Sequence, residues 1–507
     1  MRTAIIGGGI AGLAAAYELE KARAAGEAVE YTLFEARERL GGSLQSEIVN
    51  GAVLECGPDS FLTEKPAAAE LCRELGLADQ LTPSNDGARK TFVVVRNRLV
   101  PLPDGLMFLI PTKLVPTALT RLFSPMTKLR MALELLHPPR PSGHDESVAA
   151  LVERHFGQEA VDRLADPLLS GIFGGDAKQL SARTVLPKLV EMEIQYGSLT
   201  RGMLAAHRQM RARLAAQKND TANGKAEPAG NGPVGAQGTA RRAPRGTFTT
   251  LRGGMQQLVD ALEARLEPAW VRTSTPVSAV DKLESGWRIT AGGVSENYDA
   301  VVMASPAWAA GVLLGSVDPV LGEELGGIPY SSSITVNLMY DEDQLGQLPE
   351  GFGFLVPAVE GRAMLACTFA HRKFLGRTPT GKVVLRAFLG GAKNEALLSE
   401  TDAALEKIVR RELSEILGRG VIDRDAVPEH SQISRWRRAM AQYAVGHQER
   451  MQRIADRVAL LPGLRLAGNA YDGIGIPDCI RLGRKAAKEL VAARESASQR
   501  VGESANK

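Results

Sequence analysis

The chain has 507 residues, 44% of them hydrophobic and 23% charged, with a formal net charge of +3. That length exceeds what one hydrophobic core organises, so two or three domains are expected, and so small a charge gives no reason to expect nucleic acid as a partner. The four scattered cysteines form no CxxC pair and the seven histidines are dispersed, which argues against a metal site or a disulfide framework and suits a reducing compartment.

Residues 1–60 read as strand, glycine turn, helix, strand and second glycine turn. The first strand begins at Thr3, which leaves no room for the charged region of a secretory leader. "TAIIG" is a short apolar run suited to a buried parallel strand, and Ile10–Ala24 is rich in Ala and Leu, as a helix requires. Between them Gly7, Gly9 and Gly12 form a GxGxxG turn, with Gly8, Ile10 and Ala11 filling it. The first glycine permits the tight turn, the second lets a pyrophosphate approach the backbone, and the third lets helix and strand pack closely. The helix N-terminus then faces the anionic phosphates. "EYTLFEA" is the second strand; Glu35, followed by Ala36, ends it where a ribose hydroxyl pair would be accepted.

NAD and FAD both use this much. "EARERLGG" adds a second turn over Arg39–Gly42, and "ECGPDSFL" follows with Gly57. A nicotinamide domain needs neither. A flavin, whose ring lies far from its adenine, needs further backbone at close range, which these glycines allow.

Residues 101–136 are rich in Leu, Met and Phe, broken by prolines, with Lys113, Arg121, Lys128 and Arg130 as cationic flanks. Short helices fit, either as a buried subdomain or as an apolar surface facing a membrane. No run of about 18 uncharged apolar residues suggests a spanning helix. Residues 217–246 hold almost no large apolar side chain and are expected to be a disordered insertion. "WRITAGG", "YDAVVMASP", "SSSITVNLMY" and "KVVLRAFLGG" read as strands, the last two in a mixed or antiparallel sheet, and Thr401–Leu417 and Ile480–Ala493 read as helices. Near the end, "LAGNAYDGIGIPDCIRLG" places Gly468, Gly473, Gly475 and Gly483 in an apolar stretch. Pro477 fits the first turn of the helix that follows, and the glycines suit either a second nucleotide site or the other end of the first.

"GGGIAG", "EARERLGG" and "AGNAYDGIGIPDCI" together resemble the FAD-dependent amine oxidase and desaturase superfamily. More narrowly, "GPDSFLTEKPAAAELCRELGLADQL", "ADPLLSGIFGGDAKQLSARTVLPKL", "FTTLRGGMQQLVDAL" and "MAQYAVGHQER" are similar to oxygen-dependent protoporphyrinogen or coproporphyrinogen oxidases. The resemblance implies an FAD whose diphosphate is held by Gly7–Gly12 and whose ribose is held by Glu35. Arg39, Gly42 and Ser43 would line it; Gly57, Pro58, Asp59 and Ser60 would lie near the isoalloxazine. Val277 would meet the adenine, and Asn469 with Ile474, Gly475 and Ile476 would close over the ring.

The implied reaction is the six-electron oxidation of a porphyrinogen in haem biosynthesis, by three hydride transfers to flavin N5, with dioxygen reduced to peroxide. The substrate's propionates call for cations: Arg89 and Lys90, or Lys178 and Arg183, with Gly171 of "SGIFGG" bringing backbone close. Thr91 separates the basic pair from Phe92, a departure from the plant-type pattern in which arginine directly precedes that aromatic. Leu338–Tyr340 and "VLRAFLGG" either pack the macrocycle or are plain core strands. Two other readings share the FAD motifs, another amine oxidase or desaturase and a flavin-binding protein without turnover.

The fold expected is α/β: a two-layer, FAD-binding Rossmann-like domain from 1–88, 247–306 and 435–493, a mixed-sheet substrate domain from 89–110 and 307–434, and a helical lobe from 111–216, with 494–507 as a flexible tail. A cytoplasmic location is expected, with peripheral contact at the inner face of the cell membrane, ferrochelatase and a homodimer among the associations the resemblance suggests.

Overall fold

The computed structural model describes residues 1–103, 106–107, 110–111, 114–139, 144–222 and 246–505. Five parallel strands form the central sheet, in the order Val271–Arg272, Glu30–Phe34, Arg2–Ile6, Ala300–Met303 and Leu464–Leu466. Three distant parts of the chain therefore meet in one sheet. Side chains alternate across it. Ile5 and Leu33 turn toward helices Ile10–Ala24, Pro66–Glu74, Gln256–Glu263 and Ile476–Ala505. Ala4, Ile6 and Phe34 turn the other way, onto a three-stranded sheet (Val277–Lys282, Trp287–Ala291, Val294–Tyr298) and helices Ala307–Leu314 and Pro319–Gly326. The domain thus has three layers rather than the expected two, because apolar parallel strands need cover on both faces.

A seven-stranded mixed sheet lies beside it, in the order His430–Ala441, Tyr330–Asp341, Lys382–Gly390, Met364–Phe369, Gly353–Leu355, Thr91–Val95 and Arg98–Pro101. Only the pairing of Gly353–Leu355 with Thr91–Val95 is parallel. Leu338, Met339 and Tyr340 are fully buried in its core. Helix Asp402–Leu417 covers Leu338 and Leu385 with Leu405, Val409 and Leu413. Leu338–Tyr340 is thus plain core, whereas in "VLRAFLGG" Phe388 is only half-buried and Val384 lines a small cavity with Asn337 and Arg386. Strand His430–Ala441 crosses the 434/435 position as one continuous edge strand.

The lobe has its own core around Leu151, Val152, Phe156 and Leu164. Within it His155 bridges the carboxylates of Glu134 (3.0 Å) and Glu193 (3.2 Å). Glu134 also caps helix Leu199–Ala222, accepting from the Ser198 hydroxyl and the Leu199 and Thr200 amides. That helix takes in the first residues of the expected insertion; 223–245 lie outside the described residues. The last helix runs Ile476–Ala505, through most of the stretch expected as a tail. The stretch includes Ala, Glu, Arg and Gln, which favour helix, beside three serines and a glycine, which favour it less. Among the described residues no helix is long and apolar enough to cross a membrane.

Candidate functional site

The first glycine turn follows Arg2–Ile6 at the carboxyl end of the parallel sheet, where open α/β sheets bind ligands. Its glycines have separate roles. A Cβ on Gly12 would stand 1.9 Å from the Gly7 carbonyl oxygen, so helix and turn pack backbone to backbone. Gly7 has φ +112° and lies against Ala304 and Ser305. A Cβ on Gly9, by contrast, would meet nothing within 4 Å. Gly9 therefore faces open space, and the cradle suits a group that needs close backbone. Glu35 stands at the rim, accepting from the amides of Gly8 (2.7 Å) and Arg37 (2.9 Å). The Thr275 amide donates to the Glu35 carbonyl at 2.9 Å, which brings Val277 to the same end of the sheet. Ala36 is exposed beside it.

The second turn is tied to the first. Gly41 donates to the Gly8 carbonyl at 2.8 Å, and a Cβ on Gly42 would lie 3.2 Å from the Gly9 Cα. The Arg39 guanidinium donates to the carbonyls of Leu40, Gly42 and Leu44. It is spent on fixing the loop from within. Ser43 is exposed, and its carbonyl oxygen would be 1.8 Å from a Cβ on Gly57. The first, second and third turns are therefore in backbone contact in series.

The Gly57–Ser60 stretch is held from the mixed sheet. Arg386 donates to the Gly57 carbonyl and pairs with Asp59 at 3.2 Å. Lys373 pairs with Asp59 at 2.9 Å, Ser60 donates to the same carboxylate, and Trp436 donates to the Cys56 carbonyl at 2.7 Å. Pro58 is exposed. Burial pushes the Asp59 carboxyl up, but Lys373 and Arg386 outweigh it and hold it well below the ordinary carboxylate range.

The late turn is clamped by one phenol. The Tyr443 hydroxyl donates to the Asn469 carbonyl (2.9 Å) and accepts from the Gly473 amide (2.8 Å), while the Asn469 side chain donates to the Ala439 carbonyl at 2.9 Å. Ile474 and Gly475 lead directly into helix Ile476–Ala505. Ala439 and Trp436 lie on one strand, so the edge of the mixed sheet holds both the Gly57 loop and the Asn469 turn.

The model of the family described as flavin containing amine oxidoreductase matches residues 10–491. The chain belongs to this family. It is 33% identical over 490 residues to a coproporphyrinogen III oxidase of Bacillus subtilis (strain 168), covering 96% of this chain and 97% of that one. It is 28% identical to a chloroplastic protoporphyrinogen oxidase of Nicotiana tabacum, covering 96% and 84%. A solved structure from Exiguobacterium sp. 255-15, provisionally named a protoporphyrinogen oxidase, superposes with a TM-score of 0.81 at 32% identity, over 97% of this chain and 99% of that one. The cyclohexylamine oxidase of Brevibacterium oxydans IH-35A shares the fold, with a TM-score of 0.64 at 18% identity over 97% and 99%.

The cofactor of this amine oxidoreductase is FAD, and the open space at Gly9 with the Glu35 carboxylate at its rim fits a nucleotide diphosphate and ribose. The cations named from sequence are dispersed. Arg89 donates to the Thr247 hydroxyl at 2.7 Å, and Lys90 stands 3.9 Å from Glu350 at the surface. Arg183 pairs with Glu449 at 2.9 Å, and Lys178 is exposed on a cleft it shares with Asp162, Asp166 and Asp176. Gly171 sits inside helix Asp166–Phe173, a Cβ there meeting Leu355 at 3.5 Å; Gly174 is the helix-ending glycine, at φ +57°. Sequence reasoning did not single out Arg386, Lys373, Trp436 or Tyr443. Of these Tyr443 lay in the quoted "MAQYAVGHQER" and Arg386 in "VLRAFLGG".

Proposed function

We propose that the protein oxidises a porphyrinogen to its porphyrin, with coproporphyrinogen III as substrate and dioxygen as final acceptor. The observation that carries this is similarity along the whole chain. Coproporphyrinogen III oxidases at 31–33% identity align with 96–97% of it, so the lobe and mixed sheet match as well as the cofactor domain. The plant protoporphyrinogen oxidases align at 27–28%, which favours the four-propionate substrate. The amine oxidase likeness, at 18%, speaks for the fold alone.

Bound FAD supplies two-electron acceptance, used three times per macrocycle. The chain supplies position. Gly7–Gly12 would hold the diphosphate, Glu35 the ribose and Val277 the adenine. The Gly42–Ser43 and Gly57–Ser60 backbones would line one side of the flavin, and Asn469 with Ile474–Ile476 the other. The domains are proposed to divide as the sheets do, with the porphyrinogen between the mixed sheet and the lobe.

The lobe is also proposed to rest on a membrane surface. Met126, Leu129 and Leu133 share one face of helix Pro125–Leu133, and Leu136 follows; they are 73%, 55%, 52% and 76% exposed. Lys128 and Arg130 flank them, as an interfacial helix on anionic lipid requires.

Anaerobic mixing tests the substrate assignment. Coproporphyrinogen III is expected to bleach the flavin absorbance, protoporphyrinogen IX to do so more slowly, and a simple amine to leave it unchanged. Bleaching by the amine alone would refute the assignment.

A further inference from the structure

The loop at Gly57–Ser60 is held partly from outside its own domain, by Arg386 and Lys373. Its acceptors are taken by side chains from elsewhere. Arg386, on the interior strand Lys382–Gly390, reaches the Gly57 carbonyl and the Asp59 carboxylate. Lys373, at the end of the short helix Ala370–Lys373, reaches both Asp59 oxygens at 2.9 and 3.1 Å. Thr250 donates to the Asp59 carbonyl at 2.6 Å. These groups are largely withdrawn from water: Arg386, Lys373 and Asp59 side chains are 5%, 13% and 16% exposed. The adjoining Arg377–Glu55 pair is self-neutralising. Two cations thus face one carboxylate, and the loop carries an excess positive charge that solvent screens poorly.

We propose that Lys373 and Arg386 are positioning residues that fix the Gly57–Ser60 backbone against the flavin and, by their uncompensated charge, favour its reduced form. This rests on the reading that Gly57–Ser60 lines the FAD. It gives the mixed sheet, which carries Arg386, a role in setting the cofactor's readiness to take electrons. A group that only braces the fold would not shift the potential with a sign that follows the charge removed.

The test is the midpoint potential of the flavin in purified holoenzyme, by dye-coupled reductive titration, for the wild type, Lys373→Met, Lys373→Arg and Asp59→Asn. Flavin content is read from the absorbance spectrum and folding from circular dichroism. Lys373→Met is expected to move the potential negative, Asp59→Asn to move it positive, and Lys373→Arg to stay near the wild type. Arg386→Lys, which keeps the charge but loses the fork, is expected to keep the potential while weakening FAD binding about tenfold. Unmoved potentials in folded, flavin-loaded Lys373→Met and Asp59→Asn, or shifts of the same sign, would overturn the proposal and leave the oxidase reading intact. A wild type that holds no flavin would overturn both.

Discussion

Gly483 lies against Ala11 so closely that a Cβ on Gly483 would stand 2.0 Å from the Ala11 carbonyl oxygen. Helix Ile476–Ala505 and helix Ile10–Ala24 therefore meet backbone to backbone, and the last glycine of the late stretch serves helix packing. Gly483→Val should force the helices apart. Overpacking of this kind costs about 1–3 kcal/mol, read as a lower melting temperature with part of the flavin lost on purification. An unchanged melting temperature would contradict the contact.

Gly9→Val should act differently. Its Cβ has open space, so the fold should tolerate it, but the side chain would fill the cradle. The expected product is a folded, colourless protein, checked by circular dichroism and by the ratio of flavin to protein absorbance. A yellow variant with full occupancy would refute the placement of the diphosphate.

Tyr443→Phe removes one hydroxyl that serves both Asn469 and Gly473. Each lost hydrogen bond is worth about 1 kcal/mol. The turn should loosen, and FAD should dissociate faster, as followed by flavin fluorescence after dilution. Dissociation at the wild-type rate would show that the clamp does not hold the cofactor wall.

The lobe should show a pH signature. Burial alone would lower the His155 pKa, but the carboxylates of Glu134 and Glu193 outweigh it and raise it; Arg154 and His137 also face the cluster. A raised folded value means the charged imidazole stabilises the lobe. That contribution is complete below the unfolded value of about 6.5 and is lost as pH rises through the folded one. The Glu193 carboxyl is held down to about 2, the cations beside it outweighing burial, so it stays ionised throughout this range. The melting-temperature gap between wild type and His155→Gln should be widest in mild acid and shrink toward alkaline pH. A gap that grows with pH would contradict it.

Membrane contact is tested by sedimentation with vesicles of mixed anionic and neutral phospholipid. The double variant Met126→Glu with Leu129→Glu should lose vesicle binding while keeping its flavin. Both side chains are exposed, so stability should change little.

The cofactor half was the more legible part of the sequence. GxGxxG, Glu35 and the second glycine turn need particular residues at fixed spacing, and the backbone contacts at Gly12, Gly42 and Gly57 explain why. What escaped was whatever depends on long-range pairing. Arg386 looks like any charge in a strand until that strand is set beneath Gly57. The third layer was hidden because burial on both faces leaves no alternation to read. Single cations such as Lys90 and Arg183 carry no spacing signal, and their neighbours appear only when the chain is folded.

The most direct test of the oxidase reading is aerobic turnover of coproporphyrinogen III by the flavin-loaded protein, with porphyrin fluorescence and peroxide measured together. The expected result is porphyrin formed far above the spontaneous rate, with three peroxides per macrocycle, and no turnover by Gly9→Val. Porphyrin formed only at the spontaneous rate, with peroxide released from a simple amine instead, would contradict it.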